Sequence, residues 1–257
     1  MTTPTHMHRE IREIPDAIRR LLQLSGEAIQ IASEDLRRTD PNFISTVARG
    51  SSDHAATYFK YAAELTLGLP VASIGPSVAS IFKAKLRLNN SACIGISQSG
   101  KSPDIVSMTR SATEQGALTV AITNAPSSPL AKVCKHMIPI QAGTENSVAA
   151  TKTFVTSAVA SLALLAHWKQ DQRLIKAIDE LPEHLEKAAT YDWPALRHAL
   201  DNQQSLFVLG RGPAYAMSNE AALKFKETCQ IHAESYSSAE VLHGPVSIVG
   251  PGYPVLI

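Results

Sequence analysis

The chain has 257 residues, of which 44% are hydrophobic and 18% charged, so it can bury a substantial core. Its net charge of +1 provides neither the basic field of a nucleic-acid-binding protein nor an acidic tail. The length suits one large domain or two small ones, and residues 1–20 lack the apolar core of a signal sequence.

The cysteines and the most apolar segment indicate the cellular setting. Cys93, Cys134 and Cys229 are odd in number, far apart, and each in or beside an apolar run. We expect them to be reduced core residues of a cytoplasmic protein. The apolar segment 154–168 includes His167 and several hydroxyl side chains, so it predicts a buried core helix and no membrane span.

Helical apolar spacing opens the chain over residues 10–38, with a new helix expected at Pro15. Short, non-alternating apolar runs then alternate with helical segments, which is typical of parallel strands covered on both faces. The predicted strands are 43–48, 71–74, 92–96, 118–122, 136–140, 205–209 and 253–257. The predicted helices are 53–67, 103–115, 128–134, 148–168 and 217–228. The sequence therefore predicts an α/β fold with helices on both faces of a parallel sheet.

The pattern restarts after a charged helical stretch. Arg49-Gly50 aligns with Arg211-Gly212, and Ser73 aligns with Ser235 at the same offset, so we expect an internal repeat; coincidence between two βα units is the alternative. The second copy is shorter, which predicts that it is truncated by roughly seventy to ninety residues. The expected organisation is N-terminal helices 1–38, a first domain 39–170, a helical connector 171–202 and an incomplete second domain 203–257.

A hydroxyl-rich turn follows the third predicted strand. Ser97, Gln98, Ser99 and Ser102 surround the start of a helix that Ser102 is expected to cap and Pro103 to open. Free N–H groups and the positive end of the helix dipole suit a phosphate. Neither a Walker lysine nor a Gly-x-Gly-x-x-Gly pattern is present, so a sugar phosphate is favoured over a nucleotide. An ordinary polar turn is the alternative.

Charged residues follow the second glycine-containing turn. Glu220, Lys224 and Glu227 have i, i+4, i+7 spacing, which places them on one helical face among apolar and small neighbours. A solvated ion-pair stripe is one interpretation; a general base supported by a lysine is the other. On local grounds a structural role is favoured for His243, and His232 has no better claim to a catalytic one.

The segment 142–152 joins a predicted strand to the long apolar helix. Thr144, Asn146 or Thr151 could cap that helix. Because the segment follows the carboxyl end of a strand, it could also line a cleft.

The motifs 97–100, 143–154, 220–227 and 232–245 occur in this order. Together they resemble the sugar isomerase (SIS) domain family over residues 40–257. The likeness is to the SIS domains of glucosamine-6-phosphate synthases and of stand-alone SIS-type glucosamine-6-phosphate deaminases. It implies tandem SIS domains, each a flavodoxin-like sandwich, the second truncated here, and a homodimer with a shared active site.

The resemblance also implies a role for each matching residue. Glu227 would move the proton between C1 and C2, with Lys224 and Glu220 supporting the sugar oxygens, and His243 would open the ring from the neighbouring subunit. No metal or cofactor is expected. The residues implied to bind substrate are Ser51, Ser52, Ser97, Gln98, Ser99, Ser102, Glu145 and, through its backbone, Val148.

Some features differ from the synthase pattern. No cysteine precedes Cys93, so we expect no glutaminase activity; Ala150 stands where the family has a serine, and the family's C-terminal Ala-Lys segment does not follow. The run Lys101-Ser102-Pro103-Asp104 is similar to that of stand-alone deaminases and ketose/aldose isomerases.

The expected function is a hydrolytic deaminase that converts glucosamine 6-phosphate and water to fructose 6-phosphate and ammonia. A fructosamine-6-phosphate deglycase, a ketose/aldose isomerase and a non-catalytic sugar-phosphate sensor are the alternatives. No nucleic-acid or membrane partner is expected.

Overall fold

Two parallel sheets carry the fold in a computed structural model that describes residues 4–257. Residues 1–3 of the predicted N-terminal segment 1–38 lie outside the described part. The chain divides into two compact units, with the division between Ala189 and Thr190. Each unit has its own sheet and its own core.

The first unit is built on five parallel strands in the order 2-1-3-4-5, which is the flavodoxin-like order. The strands are β1 (Phe43–Val47), β2 (Val71–Ser73), β3 (Ser91–Ile96), β4 (Leu118–Thr123) and β5 (His136–Pro139). The helices are α1 (His6–Arg12), α2 (Ile14–Thr39), α3 (Ser51–Leu67), α4 (Ser77–Ser80), α5 (Pro103–Glu114), α6 (Pro129–Val133), α7 (Lys152–Lys169), α8 (Gln172–Asp179) and α9 (Leu181–Ala188).

Helices cover both faces of this sheet. Ile94 of β3 points into a core shared with α2, α3 and α7, whereas its neighbour Cys93 points into a core shared with α4, α5 and α6. The two-residue period of a strand produces this division. The α/β architecture with a parallel sheet is confirmed.

The second unit contains three parallel strands in the order β7-β6-β8. Its elements are α10 (Pro194–Ala199), β6 (Ser205–Gly210), α11 (Pro213–Lys224), a π-helical turn (Phe225–Cys229), β7 (His232–Ser237), the 3₁₀ turns Glu240–His243 and Pro245–Ile248, and β8 (Val255–Leu256). Its core includes Leu206 and Val208 of β6 and Ala222 of α11.

The two units share a local geometry. Gly50, between β1 and α3, has φ 57° and ψ −137°, and Gly212, between β6 and α11, has φ 58° and ψ −134°. In each unit the first strand lies between the second and the third. Both observations support the predicted repeat, but its tandem SIS organisation and its truncation stay predictions.

Two expectations about local structure were wrong. The long helix α7 begins at Lys152 and not at 148, because the residues before it form a loop without regular secondary structure. Cys93 is buried and Cys134 half-buried, but Cys229 is exposed because it ends the π-helical turn outside the core of the second unit.

Within residues 4–257, every helix is too short or too polar to cross a bilayer.

Candidate active site

A cavity of about 370 Å³ lies in the first unit, where the turns after β1 and β3 meet the segment before α7. The carboxyl ends of parallel strands are where α/β proteins form binding sites. The lining is mostly polar: Arg49, Ser51, Ser52, Gln98, Glu145, Ser147, Val148, Ala150, Thr153 and Phe154. The structure thus brings together five of the residues assigned to substrate from the sequence, namely Ser51, Ser52, Gln98, Glu145 and Val148.

The turn after β3 is fixed by its own hydroxyls. Ser97 Oγ accepts a hydrogen bond from Gly100 N at 3.2 Å, and Ser99 Oγ accepts one from Lys101 N at 3.3 Å. Ser102 occupies the N-cap position of α5, as predicted, but its side chain makes no capping hydrogen bond. Gln98, which lies between Ser97 and Ser99, lines the cavity, whereas Ser97, Ser99 and Ser102 are not among its lining residues.

Gly100 is required in this turn by its close neighbours. Its φ is +59°, and a Cβ there would overlap the side chain of Ser128, the N-cap of α6. The carbonyl of Gly100 also accepts from Leu130 N at 3.0 Å. The turn is therefore packed directly onto the start of α6.

Arg49 adds a cation that was not among the predicted site residues. Its Nε donates a hydrogen bond to Asp104 Oδ2 in the first turn of α5. Burial opposes ionisation of Asp104, but the hydrogen bond from Arg49 and backbone contacts outweigh it and lower the pKa of this carboxyl. Nearby, burial raises the pKa of Asp53 in the first turn of α3. The position of Arg49, two residues before Ser51, was the available signal.

Glu145 performs the capping that was expected of neighbouring residues. Its Oε1 accepts from Thr151 N at 3.0 Å and Thr153 N at 3.2 Å, and its Oε2 accepts from the Thr153 hydroxyl. A carboxylate at a helix N-terminus satisfies free amides and complements the dipole. Of the three candidates Thr144, Asn146 and Thr151, Thr151 occupies the N-cap position, but its side chain makes no capping hydrogen bond and Glu145 supplies the capping oxygens.

The carboxylate–lysine–carboxylate set lies in the second unit. Lys224 Nζ is 3.0 Å from Glu220 Oε1 and 2.5 Å from Glu227 Oε2. The side chains are 8%, 17% and 31% exposed for Glu220, Lys224 and Glu227, so the set runs from the core to the surface. The predicted common face is confirmed.

Glu227 lies in the π-helical turn that follows α11. Such turns occur frequently at functional sites, because the extra residue redirects the side chains that follow it. A carboxylate that is partly exposed and held by a lysine can exchange protons with a bound molecule.

The two histidines lie on other elements of the second unit. His243 ends the 3₁₀ turn Glu240–His243 and is exposed, and His232 is the exposed first residue of β7. Ser205 Oγ is 3.5 Å from His232 Nδ1. Within residues 4–257, no group of three or more His, Cys, Asp or Glu side chains is arranged to hold a metal ion.

Comparison with known proteins places this geometry in a family. The model of the SIS domain matches residues 39–167 and 199–257. A crystal structure from Silicibacter pomeroyi DSS-3, provisionally named a phosphosugar isomerase, is 62% identical and superposes with a TM-score of 0.95. The match covers 98% of this chain and 77% of that one.

Curated relatives are longer proteins. The isomerizing glutamine–fructose-6-phosphate aminotransferase of Methanothermobacter thermautotrophicus is 34% identical over 97% of this chain and 42% of its own length. The enzyme of the same name from Sulfolobus acidocaldarius is 32% identical over 98% of this chain and 42% of its own length. This chain thus spans less than half the length of these relatives. The matched ranges and the identities show that the chain belongs to the SIS domain family.

Proposed function

We propose that this protein is a phosphosugar-converting enzyme that takes glucosamine 6-phosphate and water to fructose 6-phosphate and ammonia. The observation that carries the proposal is the polar cavity of the first unit. It combines a guanidinium, hydroxyls and an amide, which are donors that suit a phosphate, with a loop that could face a polyhydroxyl chain. The names of the relatives, a phosphosugar isomerase and isomerizing aminotransferases, support the same substrate class.

The proposal assigns the phosphate to the turns after β1 and β3. Hydroxyls and amides at the start of α3 and α5 would bind the anion, and Arg49 would add charge. The residues assigned to phosphate are Arg49, Ser51, Ser52, Ser97, Gln98, Ser99 and Ser102. Glu145 and the backbone of Val148 would contact the sugar. Binding energy from the phosphate, which is remote from the reacting carbons, would hold C1 and C2 in place.

The proposal assigns the chemistry to the second unit. His243 would open the pyranose ring by moving a proton to the ring oxygen, which gives the open-chain aldehyde. Glu227 would take the proton from C2 and return it to C1, while the amine gives up one proton and the C1 oxygen takes one up, so that the C1 aldehyde becomes a hydroxymethyl group and the C2 amine becomes an imine. Water then adds to the imine carbon, and ammonia leaves as fructose 6-phosphate forms. Lys224 would stabilise the oxygen charge that develops at C1, and Glu220 would position Lys224.

The proposal includes a homodimer, since the resemblance implies that His243 reaches the active site of the neighbouring subunit. Sedimentation of the purified protein would test this part by itself. A dimer is expected, and a monomer with full activity would contradict the shared site.

A panel of substrates tests the assigned reaction. The purified protein is incubated with glucosamine 6-phosphate, with a fructosamine 6-phosphate, and with a hexose 6-phosphate that lacks nitrogen. We expect turnover of the first, with ammonia as product. Release of a free amine from the fructosamine 6-phosphate alone would indicate a deglycase. Aldose–ketose interconversion of the hexose 6-phosphate alone would indicate a simple isomerase. Binding without any product would indicate a sensor.

A further inference from the structure

The segment from Gly143 to Thr151, here called the cavity loop, joins β5 to α7 without regular secondary structure. It brings Glu145, Ser147 and Val148 to the cavity, and the side chain of Val148 is 99% exposed. Since its largest apolar side chain is left exposed, the loop needs other anchors to overcome the entropy of ordering.

The first anchor comes from α1, far away in sequence. Glu10 is 4% exposed, and its carboxylate receives the amide of Asn146 at 2.5 Å and the amide of Ser147 at 3.2 Å. The hydroxyl of Ser147 donates to the same carboxylate. One side chain of α1 therefore binds two successive amides and a hydroxyl of the cavity loop.

The second anchor lies at the junction of α1 and α2. Lys152, the first residue of α7, is 2% exposed, and its Nζ donates to Glu13 Oε2 at 2.5 Å and to the carbonyl of Thr144 at 2.7 Å. Lys152 therefore connects Glu13 to Thr144, which precedes Glu145 in the cavity loop. Glu10, by contrast, binds the two residues that follow Glu145.

The chemistry of the first anchor makes it strong. Hydrogen bonds to an ionised acceptor are about twice as strong as neutral ones. Burial disfavours the charged carboxylate, but the Ser147 hydroxyl and the amides of Asn146 and Ser147 outweigh it and lower the pKa of Glu10. The anchor is thus fully ionised near neutral pH, and its loss would leave two amides without their acceptor.

We propose that Glu10 and Glu13 are positioning residues that hold the cavity loop in its substrate-binding conformation. This inference rests on the proposed function, because it requires that the loop contact the sugar. Neither glutamate touches the cavity itself, so each acts through loop residues. The turns that are assigned to phosphate belong to other elements, and therefore the two glutamates should affect sugar recognition and leave phosphate recognition unchanged.

Equilibrium binding tests the proposal with two probes. Glucitol 6-phosphate, an open-chain polyol phosphate that cannot isomerise, reports on sugar plus phosphate, and inorganic phosphate reports on the anion site alone. For Glu10→Gln we expect about tenfold weaker binding of glucitol 6-phosphate, the loss of roughly one charge-assisted hydrogen bond. Binding of inorganic phosphate should change less than about twofold. Hydrogen exchange of the Asn146 and Ser147 amides should be faster.

Two further variants keep the test decisive. Glu13→Gln replaces a side chain that is 53% exposed, so its fold should be retained, and we expect weaker glucitol 6-phosphate binding in the same direction. Glu27→Gln removes an exposed carboxylate from α2 and serves as the matched control, with unchanged binding of both probes.

The outcomes distinguish a failure of the positioning role from a failure of the proposed function. Variants of Glu10 and Glu13 that bind glucitol 6-phosphate as the unchanged protein does would overturn the positioning role alone. Equal losses for both probes would overturn it as well, because a general loss of structure would explain them. If the protein without substitutions binds neither glucitol 6-phosphate nor inorganic phosphate, the proposed function is overturned, and this inference with it.

Discussion

Lys224 Nζ lies 2.5 Å from Glu227 Oε2, at the point where α11 passes into a π-helical turn. The lysine is largely covered, whereas about one-third of the Glu227 side chain is exposed. A carboxylate in this position is held by a cation on one side and open on the other. This is the arrangement expected of a group that accepts a proton from a bound molecule and returns it.

Glu227→Gln removes the proposed base while its size and polarity are retained. We expect ammonia release from glucosamine 6-phosphate to fall by about 10²–10⁴-fold, the usual contribution of general base catalysis. Affinity for glucitol 6-phosphate should be unchanged. Assays of both quantities, with Glu114→Gln at an exposed position as control, check this prediction. Retained turnover would remove Glu227 from the mechanism.

Lys224→Met should reduce both turnover and stability. It leaves the nearly buried carboxylate of Glu220 without this cation, which should cost about 1–3 kcal/mol of unfolding free energy. Chemical denaturation and steady-state rates measure the two effects. Lys226→Met, at an exposed position on the same helical segment, should leave both unchanged. A fully active Lys224→Met protein would contradict the assigned role.

Arg49→Met tests the proposed phosphate contact. The guanidinium lines the cavity and is 57% exposed, so its loss should not unfold the protein. We expect affinity for inorganic phosphate to fall about tenfold and to become less sensitive to salt, because a screened charge has been removed. Arg110→Met on the exposed side of α5 is the control. Equal affinities of the two variants would show that hydroxyls and amides alone bind the anion.

Asp35 in α2 should make the free energy of unfolding depend on pH. Its side chain is 7% exposed, and hydrogen bonds from Lys135, His136 and Arg38 lower the pKa of this carboxyl well below its usual range, against the effect of burial. A lowered folded-state pKa contributes stability that is present above the unfolded pKa of about 4 and is lost as the pH falls below it.

Asp35→Asn should therefore reduce the unfolding free energy by about 1–3 kcal/mol at pH 7, with a smaller difference from the unchanged protein at pH 3. Urea unfolding at the two pH values measures the difference. Glu34→Gln, an exposed neighbour, is the control. A difference that is the same at both pH values would mean that the ionisation of Asp35 does not contribute.

Local sequence patterns were sufficient to predict the elements whose structure depends on neighbouring residues. Strands β1 to β6 have nearly the predicted bounds, because short apolar runs between polar turns are a direct consequence of burial. Strand β7 was not predicted, since His232–Ser237 is mostly polar, and β8 covers only Val255–Leu256 of the predicted 253–257. The ion pair between Lys224 and Glu220 follows from helical periodicity, because the two residues are four apart in α11. The turn after β3 was recognised because its hydroxyls and its glycine are adjacent in sequence.

The remaining features depend on contacts between distant residues. Glu10 meets Ser147 across 137 residues, and no local spacing indicates that pair. The late start of α7 follows from Glu145, whose side chain caps the helix from six residues before Thr151. Cys229, which was expected in the core, is exposed at the end of the π-helical turn, where Thr228 and Gln230 are its neighbours in sequence.

The most direct test is incubation of the purified protein with glucosamine 6-phosphate, without glutamine, and measurement of ammonia and fructose 6-phosphate in the same sample. We expect the two products to appear in equal amounts, and to be absent with Glu227→Gln. If neither product forms while glucitol 6-phosphate still binds, the deaminase assignment is contradicted.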